Sequence, residues 1–382
     1  MERQNDLDWI RILAVFLLIP FHTARIFDTF ETFYLKNAEL SAALSYLIIF
    51  FLNKWQMALL FLVAGAASWL ALRSRSGGHY ALERLKRLMI PFVFGTLVIV
   101  PPQMYFALLH RSSTTASYLE YYPTFFRLRP ADLTDYTGIG FTWGHLWFIL
   151  NLFVISLIAL PLFLGLKTKI GQRLTSGLAS FLGRGPAILL LALPLPIVRF
   201  LLPDVDGKPF FLYLLLFIYG FVLMSEAGFR KALERNRWAA LIPGITCTAI
   251  DYAVALSGAR FADFSLPSIL LFLAASFNTW FLLAAILGFA QKYWNVDNRL
   301  LRYARDAAYP FYVLHQTVIV AVGYYVLHWK TGVLLKFLVT AVGALILTVV
   351  LYDLVVRRTN VTRFLFGMKP KARRVAPQVP AA

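Results

Sequence analysis

The sequence predicts an all-α membrane protein, a polytopic bundle of about ten transmembrane helices with both termini cytoplasmic. Three observations lead there. Of the 382 residues, 59% are hydrophobic and 16% aromatic, more apolar surface than a water-soluble core buries. Apolar runs of about 20 residues, long enough to cross a hydrocarbon layer about 30 Å thick, can be drawn ten times. Most of the 37 Lys and Arg residues fall in alternate connections counted from the N-terminus, as the positive-inside rule expects of cytoplasmic loops.

In chain order the runs are 9–27, 42–71, 88–109, 145–165, 186–202, 209–225, 238–256, 266–290, 308–327 and 332–356. The first reads as a permanent helix: MERQNDLD is net acidic, unlike the basic start of a cleaved signal, and no small-residue cleavage site follows. The longest connection, roughly 110–144, is rich in Tyr, Phe and Trp, which suits either a sugar-binding surface or an interfacial aromatic belt. Residues 1–360 read as one membrane domain. Residues 361–382, ending GMKPKARRVAPQVPAA, read as a basic, disordered cytoplasmic tail.

Composition also excludes. The single cysteine, Cys247, can form neither an internal disulfide nor a multi-cysteine metal site. A net charge of +18 invites a nucleic-acid reading, but the basic residues are dispersed among short loops, so the partner is the bilayer rather than nucleic acid. There is no HExxH, GxxxxGK[ST], GxSxG or EF-hand pattern, which removes the main support for a metalloprotease, nucleotide hydrolase or lipase. No metal site is expected.

The first run, RILAVFLLIPFH, carries an ionisable group at each end. Arg11 and His22 are eleven residues apart, so on a helix they lie within ~20° of one face and ~16 Å apart along the axis. Pro20 leaves the Phe16 carbonyl without its backbone donor, which kinks or opens a helix. Snorkelling of Arg11 and an interhelical hydrogen bond from His22 form the competing reading; ionisable residues at membrane depth by default mark a functional path.

Further polar residues sit in other runs. GHLWFILNLF places His145 near the outer end of the fourth and Asn151 within it. In the ninth, Tyr312, His315 and Gln316 share a face at i, i+3, i+4 spacing. Asn53, Lys54, Gln56, Asn278 and Thr279 fit packing as well as cavity lining. Arg84 and Arg87, written R-x-x-R where the third helix opens just before its apolar run, lie one turn apart, and paired guanidiniums suit phosphate.

Taken together, DWIRILAVFLLIPFH, QMALLFLVAG, RLKRLMIPF, GHLWFILNLF and YPFYVLHQTVIV, in this order across most of the chain, resemble the acyltransferase-3 family of integral membrane acyltransferases, nearest its branch of periplasmic glucan succinyltransferases. Val63-Ala64-Gly65 stands where the family has Ser before glycine, and Ala58 where it has proline; both bear on packing. The resemblance implies ten helices, a bacterial inner-membrane location and acyl transfer from acyl-CoA to a carbohydrate hydroxyl. Acetyl-CoA or succinyl-CoA would be a co-substrate, with no permanently bound cofactor.

On that reading Arg11, Arg84 and Arg87 hold the donor and His22 is the general base, acting directly or through an acyl-His22 intermediate. His145, Trp147, Asn151, Tyr312, His315 and Gln316 are candidates for cavity, oxyanion or acceptor contacts. The rival classes are a transporter of an anion or glycan, against which no inverted repeat is visible, and a scaffold in a glycan assembly.

Overall fold

In the computed structural model, residues 4–112, 114–127 and 140–371 are described. Among them the regular structure is helical throughout, with no strand: α1 (Asn5–Ala24), α2 (Ala42–Leu72), α3 (Gly77–Arg111), α4 (Tyr118–Phe125), α5 (Gly144–Leu166), α6 (Lys169–Leu182), α7 (Ala187–Leu201), α8 (Phe210–Ser225), α9 (Ala227–Arg235), α10 (Arg237–Ser257), α11 (Leu266–Tyr293), α12 (Arg299–Leu327), α13 (Val333–Val356) and α14 (Asn360–Leu365).

Eight of these helices are long and apolar enough to cross a membrane, or ten spans if each of two bent pairs counts as one. The pairs are α6 with α7, bent by 116°, and α8 with α9, bent by 105°. The sequence runs 186–202 and 209–225 are the apolar arms of these pairs. Gly183-Arg184-Gly185-Pro186 makes the first corner, where Gly185 takes a positive φ and the proline starts the next arm. Along α6, Ile170, Leu174, Leu178 and Phe181 form an exposed apolar stripe, the pattern of a helix lying along a lipid interface.

Between helices surrounded by lipid, close packing replaces the hydrophobic effect as the source of association. The tightest contact joins α2 and α8. A Cβ on Gly65 would lie 1.9 Å from the Phe217 carbonyl oxygen, and one on Gly220 1.8 Å from that of Leu62, so only glycine lets these backbones meet. Stacked rings extend this wall: Phe61 on Tyr213 (4.5 Å between centroids) and Phe163 on Phe221 (3.7 Å).

The most buried span is α12, with α1, α3 and α13 packed around it. In α1 the regular helix stops at Phe16 and resumes at Leu18, beside the carbonyl that Pro20 deprives of a donor. The following loop is pinned by the buried Asp28 carboxylate. It forms an ion pair with Arg25 (3.0 Å) and accepts from Lys36 (3.0 Å) and the Phe30 backbone N–H (2.8 Å), and the pinned loop brings Phe33 against His22.

The aromatics around α4 mostly satisfy one another: Tyr105 meets Tyr118 and Tyr121, and Phe125 meets Phe126 and Phe141. Residues 128–139 of that long connection lie outside the described residues. The expectation of a disordered tail needs one correction. Residues 360–365 form α14 and Phe366 is buried against Phe94, so the segment joins the bundle through its apolar side chains; residues 372–382 lie outside the described set.

Candidate active site

Three histidines from three helices converge. His315, fully buried on α12, lies 5.2 Å from His22 of α1 and 5.1 Å from His145 between ring centroids. His145 sits in the 3-10 turn that opens α5, and its preceding residue, Gly144, has φ +51°, a conformation suited to glycine. Tyr312, one turn before His315, completes the cluster, 5.6 Å from His315 and 5.8 Å from His145.

Hydrogen bonding fixes what the cluster presents. The Tyr312 hydroxyl donates to the His145 carbonyl. The His145 Nε2–H donates to the Val313 carbonyl (3.0 Å) and the His315 Nδ1–H to the Tyr312 carbonyl (2.6 Å). Carbonyls only accept, so each contact assigns the proton to the ring nitrogen that makes it. The remaining nitrogens, His145 Nδ1 and His315 Nε2, are buried without partners, as is His22 Nδ1. Orphaned buried polar atoms are uncommon and costly, and three gather here on neighbouring rings, two of them, His145 Nδ1 and His315 Nε2, as unused lone pairs.

This bears on the expected oxyanion role. As neutral groups Tyr312, His145 and His315 have committed their protons to backbone carbonyls, so here they offer lone pairs rather than donors. Among the described residues, no three His, Cys, Asp or Glu side chains are arranged to hold a metal.

The other candidates distribute along the bundle. Gln316 is buried beside His315 on α12. Trp147 turns from His145 toward Tyr213, with which it stacks, and Lys208 Nζ lies 5.4 Å from its ring centre; Asn151 is half-buried one turn further along α5. Arg11 lies at the other end of α1, bound to Asp8 (3.0 Å), whose second oxygen faces Arg305 of α12 at 3.6 Å. Gln56 is occupied: its amide donates to the Ala14 carbonyl and holds α2 on α1.

Arg84 and Arg87 go to different partners. Arg84 donates to the buried Ser68 hydroxyl (2.8 Å), lies over the Tyr80 ring and is within electrostatic reach of Tyr309. Arg87 pairs with Glu83 (3.2 Å) and, with Lys86, Lys369, Phe364 and Met368, lines a cleft of about 260 Å³ between α3 and the segment after α14. The helix winds as a π-helix from Leu85 to Met89, which alters the angle expected between the two arginines.

On α12, Arg305, Tyr309, Tyr312 and His315 therefore mark one polar seam from the Arg11 end to the histidines. Sequence reasoning missed Tyr309, whose buried hydroxyl has no partner, and Gln103 of α3, fully buried with both amide atoms unpartnered. Gln103 carried a signal: an amide in an apolar run directly after Pro101-Pro102.

Fold and site together define a polytopic helical membrane protein with three histidines meeting inside the bundle. The family model described as an acyltransferase domain, that of the acyltransferase-3 family, matches residues 4–353, and the chain belongs to that family. It is an acyltransferase that transfers groups other than aminoacyl groups. Glucans biosynthesis protein C of Escherichia coli K12 is 22% identical over 400 residues, covering 100% of this chain and 98% of that protein. The protein of the same name from Escherichia coli O6:K15:H31 is 22% identical over 401 residues, with the same coverage. No solved structure matches the chain.

Proposed function

We propose that the protein moves an acetyl or succinyl group from cytoplasmic acyl-CoA to a hydroxyl of an envelope carbohydrate such as a glucan, in the bacterial inner membrane with both termini inside. The carbohydrate class follows the name of the relatives, which the chain matches over its full length. The observation that carries the chemistry is the meeting of His22, His145 and His315 with an unpartnered nitrogen on each ring.

In this reading the donor enters at the Arg11 end. Its phosphates are held by Arg84 and Arg87, with Arg11 above them, and its thioester points along the α12 seam. At the other end His22, whose side chain makes no hydrogen bond among the described residues, takes the proton of the acceptor hydroxyl. The oxygen attacks the thioester carbonyl carbon, the carbon–sulfur bond breaks, and the thiolate leaves to recover a proton. His315 and His145 supply further lone pairs that accept from neighbouring hydroxyls of the acceptor, which holds the reacting hydroxyl toward His22. A general base contributes ~10²–10⁴ in rate.

Free-thiol release by the purified protein in nanodiscs tests this, with acetyl-CoA or succinyl-CoA and with or without a gluco-oligosaccharide. Acceptor-dependent release by the wild type, lost in His22→Ala, is the expected result and names the donor. Equal release by both proteins would remove His22 from the chemistry. Passage of unmodified oligosaccharide into proteoliposomes without thiol release would favour a transporter.

A further inference from the structure

The cleft of about 260 Å³ at the start of α3 carries more positive charge than the fold uses. Lys86, Arg87 and Lys369 line it. Among the described residues, neither lysine side chain has an ion pair or a hydrogen bond. The carboxylate on its wall, Glu83, is already divided between Arg75 and Arg87, one oxygen to each. The excess cations favour an anion in the cleft.

The wall opposite α3 is held in place. Phe366 is buried against Phe94, and the chain after it turns at Gly367, whose φ is +67°. A Cβ there would lie 2.8 Å from the Arg87 carbonyl oxygen and 2.8 Å from the Tyr309 ring, so glycine lets the segment close onto α3 and α12. The Met368 N–H donates to the Arg363 carbonyl (2.8 Å), Arg363 Nε–H to the Lys369 carbonyl (2.7 Å) and the Lys371 N–H to Asn360 Oδ1 (2.9 Å). These bonds fix the backbone that carries Lys369 across the cleft from Lys86 and Arg87. The same turn joins the cleft to the α12 seam, because Gly367 both lines the cleft and touches Tyr309.

We propose that this cleft takes the terminal phosphate of the donor, with Lys369, supplied by the segment after α14, as a binding residue beside Lys86 and Arg87. This rests on the acyl-CoA reading above. Charge and size select the group. Three cations match a phosphomonoester, which carries about −1.5 to −2 near neutral pH. The volume is below the roughly 300–1,000 Å³ of a pocket that encloses a whole drug-sized ligand, so the cleft holds one end of a long donor and leaves the rest to run past Tyr309. Phe364, exposed on the cleft wall, offers a ring on which a base can stack. Adenosine bearing a phosphomonoester, the end of coenzyme A remote from its thiol, supplies both base and phosphate; a phospholipid supplies the phosphate alone.

The test titrates coenzyme A and 3′-dephospho-coenzyme A, which differ by that phosphate only, into the full chain in phosphatidylcholine nanodiscs, with Lys369→Gln and Lys369→Arg as variants. The expected result is coenzyme A bound about tenfold more weakly by Lys369→Gln and at wild-type affinity by Lys369→Arg, with dephospho-coenzyme A bound equally by all three. Equal coenzyme A binding by wild type and Lys369→Gln would overturn the assignment, as would an equal loss for both ligands or a wild type that binds neither. Phosphatidylglycerol nanodiscs separate the two sources of phosphate: the Lys369 effect should persist there, and its disappearance would give the cleft to a lipid headgroup and overturn the donor assignment. A wild type that binds coenzyme A through Lys369 yet transfers no acyl group would sink the enzymatic reading and leave this site standing; acyl transfer by a protein whose coenzyme A binding ignores Lys369 would do the reverse.

Discussion

Two of the polar clusters among the described residues of the apolar bundle differ in how completely they are satisfied. In the first, between α2, α10 and α11, Lys54 Nζ meets Asp251 at 2.6 Å and sits 4.1 Å from the Phe50 ring centre. Thr279 donates to the Lys54 carbonyl, Asn278 bonds Thr248, and Ser276 accepts from Arg199. Each of these named groups has found a protein partner. In the second, at the meeting of α1, α3, α5 and α12, the three histidines and Gln103 keep unpartnered atoms. Polarity at membrane depth therefore differs in kind here: the first cluster joins helices, and the second keeps polar atoms that no protein group among the described residues satisfies.

The largest expected effect would break the comparison at its second term. His22→Ala should lower kcat by ~10²–10⁴ while leaving the thermal midpoint close to wild type, because His22 contributes no hydrogen bond to the fold. A comparable loss of folded protein would make the histidine cluster structural. Next in size, Lys54→Met strands the Asp251 carboxylate in the bundle and should destabilise the protein by about 3–5 kcal/mol, read as a fall in thermal midpoint in detergent. Lys54→Met with Asp251→Leu should recover most of it, because the pair costs nearly as much to bury as it returns; failure to recover would show that the ion pair does more than join helices.

A smaller effect belongs to the donor end. Replacing Arg84 and Arg87 together with Ala should raise the KM for acyl-CoA about tenfold with kcat little changed, since each is a charge-assisted hydrogen-bond donor. Unchanged donor dependence would detach them from the donor. The smallest is Thr96→Val on α3. Its hydroxyl is buried without a partner, so an apolar group of the same shape should be neutral or stabilise by about 1 kcal/mol. A clear loss of activity there would extend the open cluster to Thr96.

Much of this was legible in the sequence. Hydrophobic runs locate the helices because span length is set by the bilayer, and Arg11 and His22 announce themselves as ionisable groups at a helical spacing that one segment determines. The meeting of His22, His145 and His315 was not legible, because no local pattern states which of many helix faces adjoin. The same holds for Lys54 and Asp251, which lie 197 residues apart; Asp251 was visible only as an acid within an apolar run.

The bends of the two helix pairs escaped for a different reason. An apolar run reports length, while the corner is set by backbone at Gly183 to Pro186 and at the Glu226 junction. Gln103 escaped because an amide in a helix is common, and only its lack of partners in three dimensions distinguishes it.

The seam on α12 has a geometric consequence. Arg305, Tyr309, Tyr312 and His315 ride on one continuous helix, and from Arg305 to His315 the rise is about 15 Å. That helix is a ruler. It spans the interval between the end where Arg11 and Arg305 share Asp8 and the end where the imidazoles meet, with Pro310 midway leaving the Asp306 carbonyl short of its backbone donor, and on the reading proposed above the reach of an extended donor is gauged against it. Adding one residue to the interval would shift the reading by about 1.5 Å and turn every later mark by about 100°, so length and phase are calibrated together.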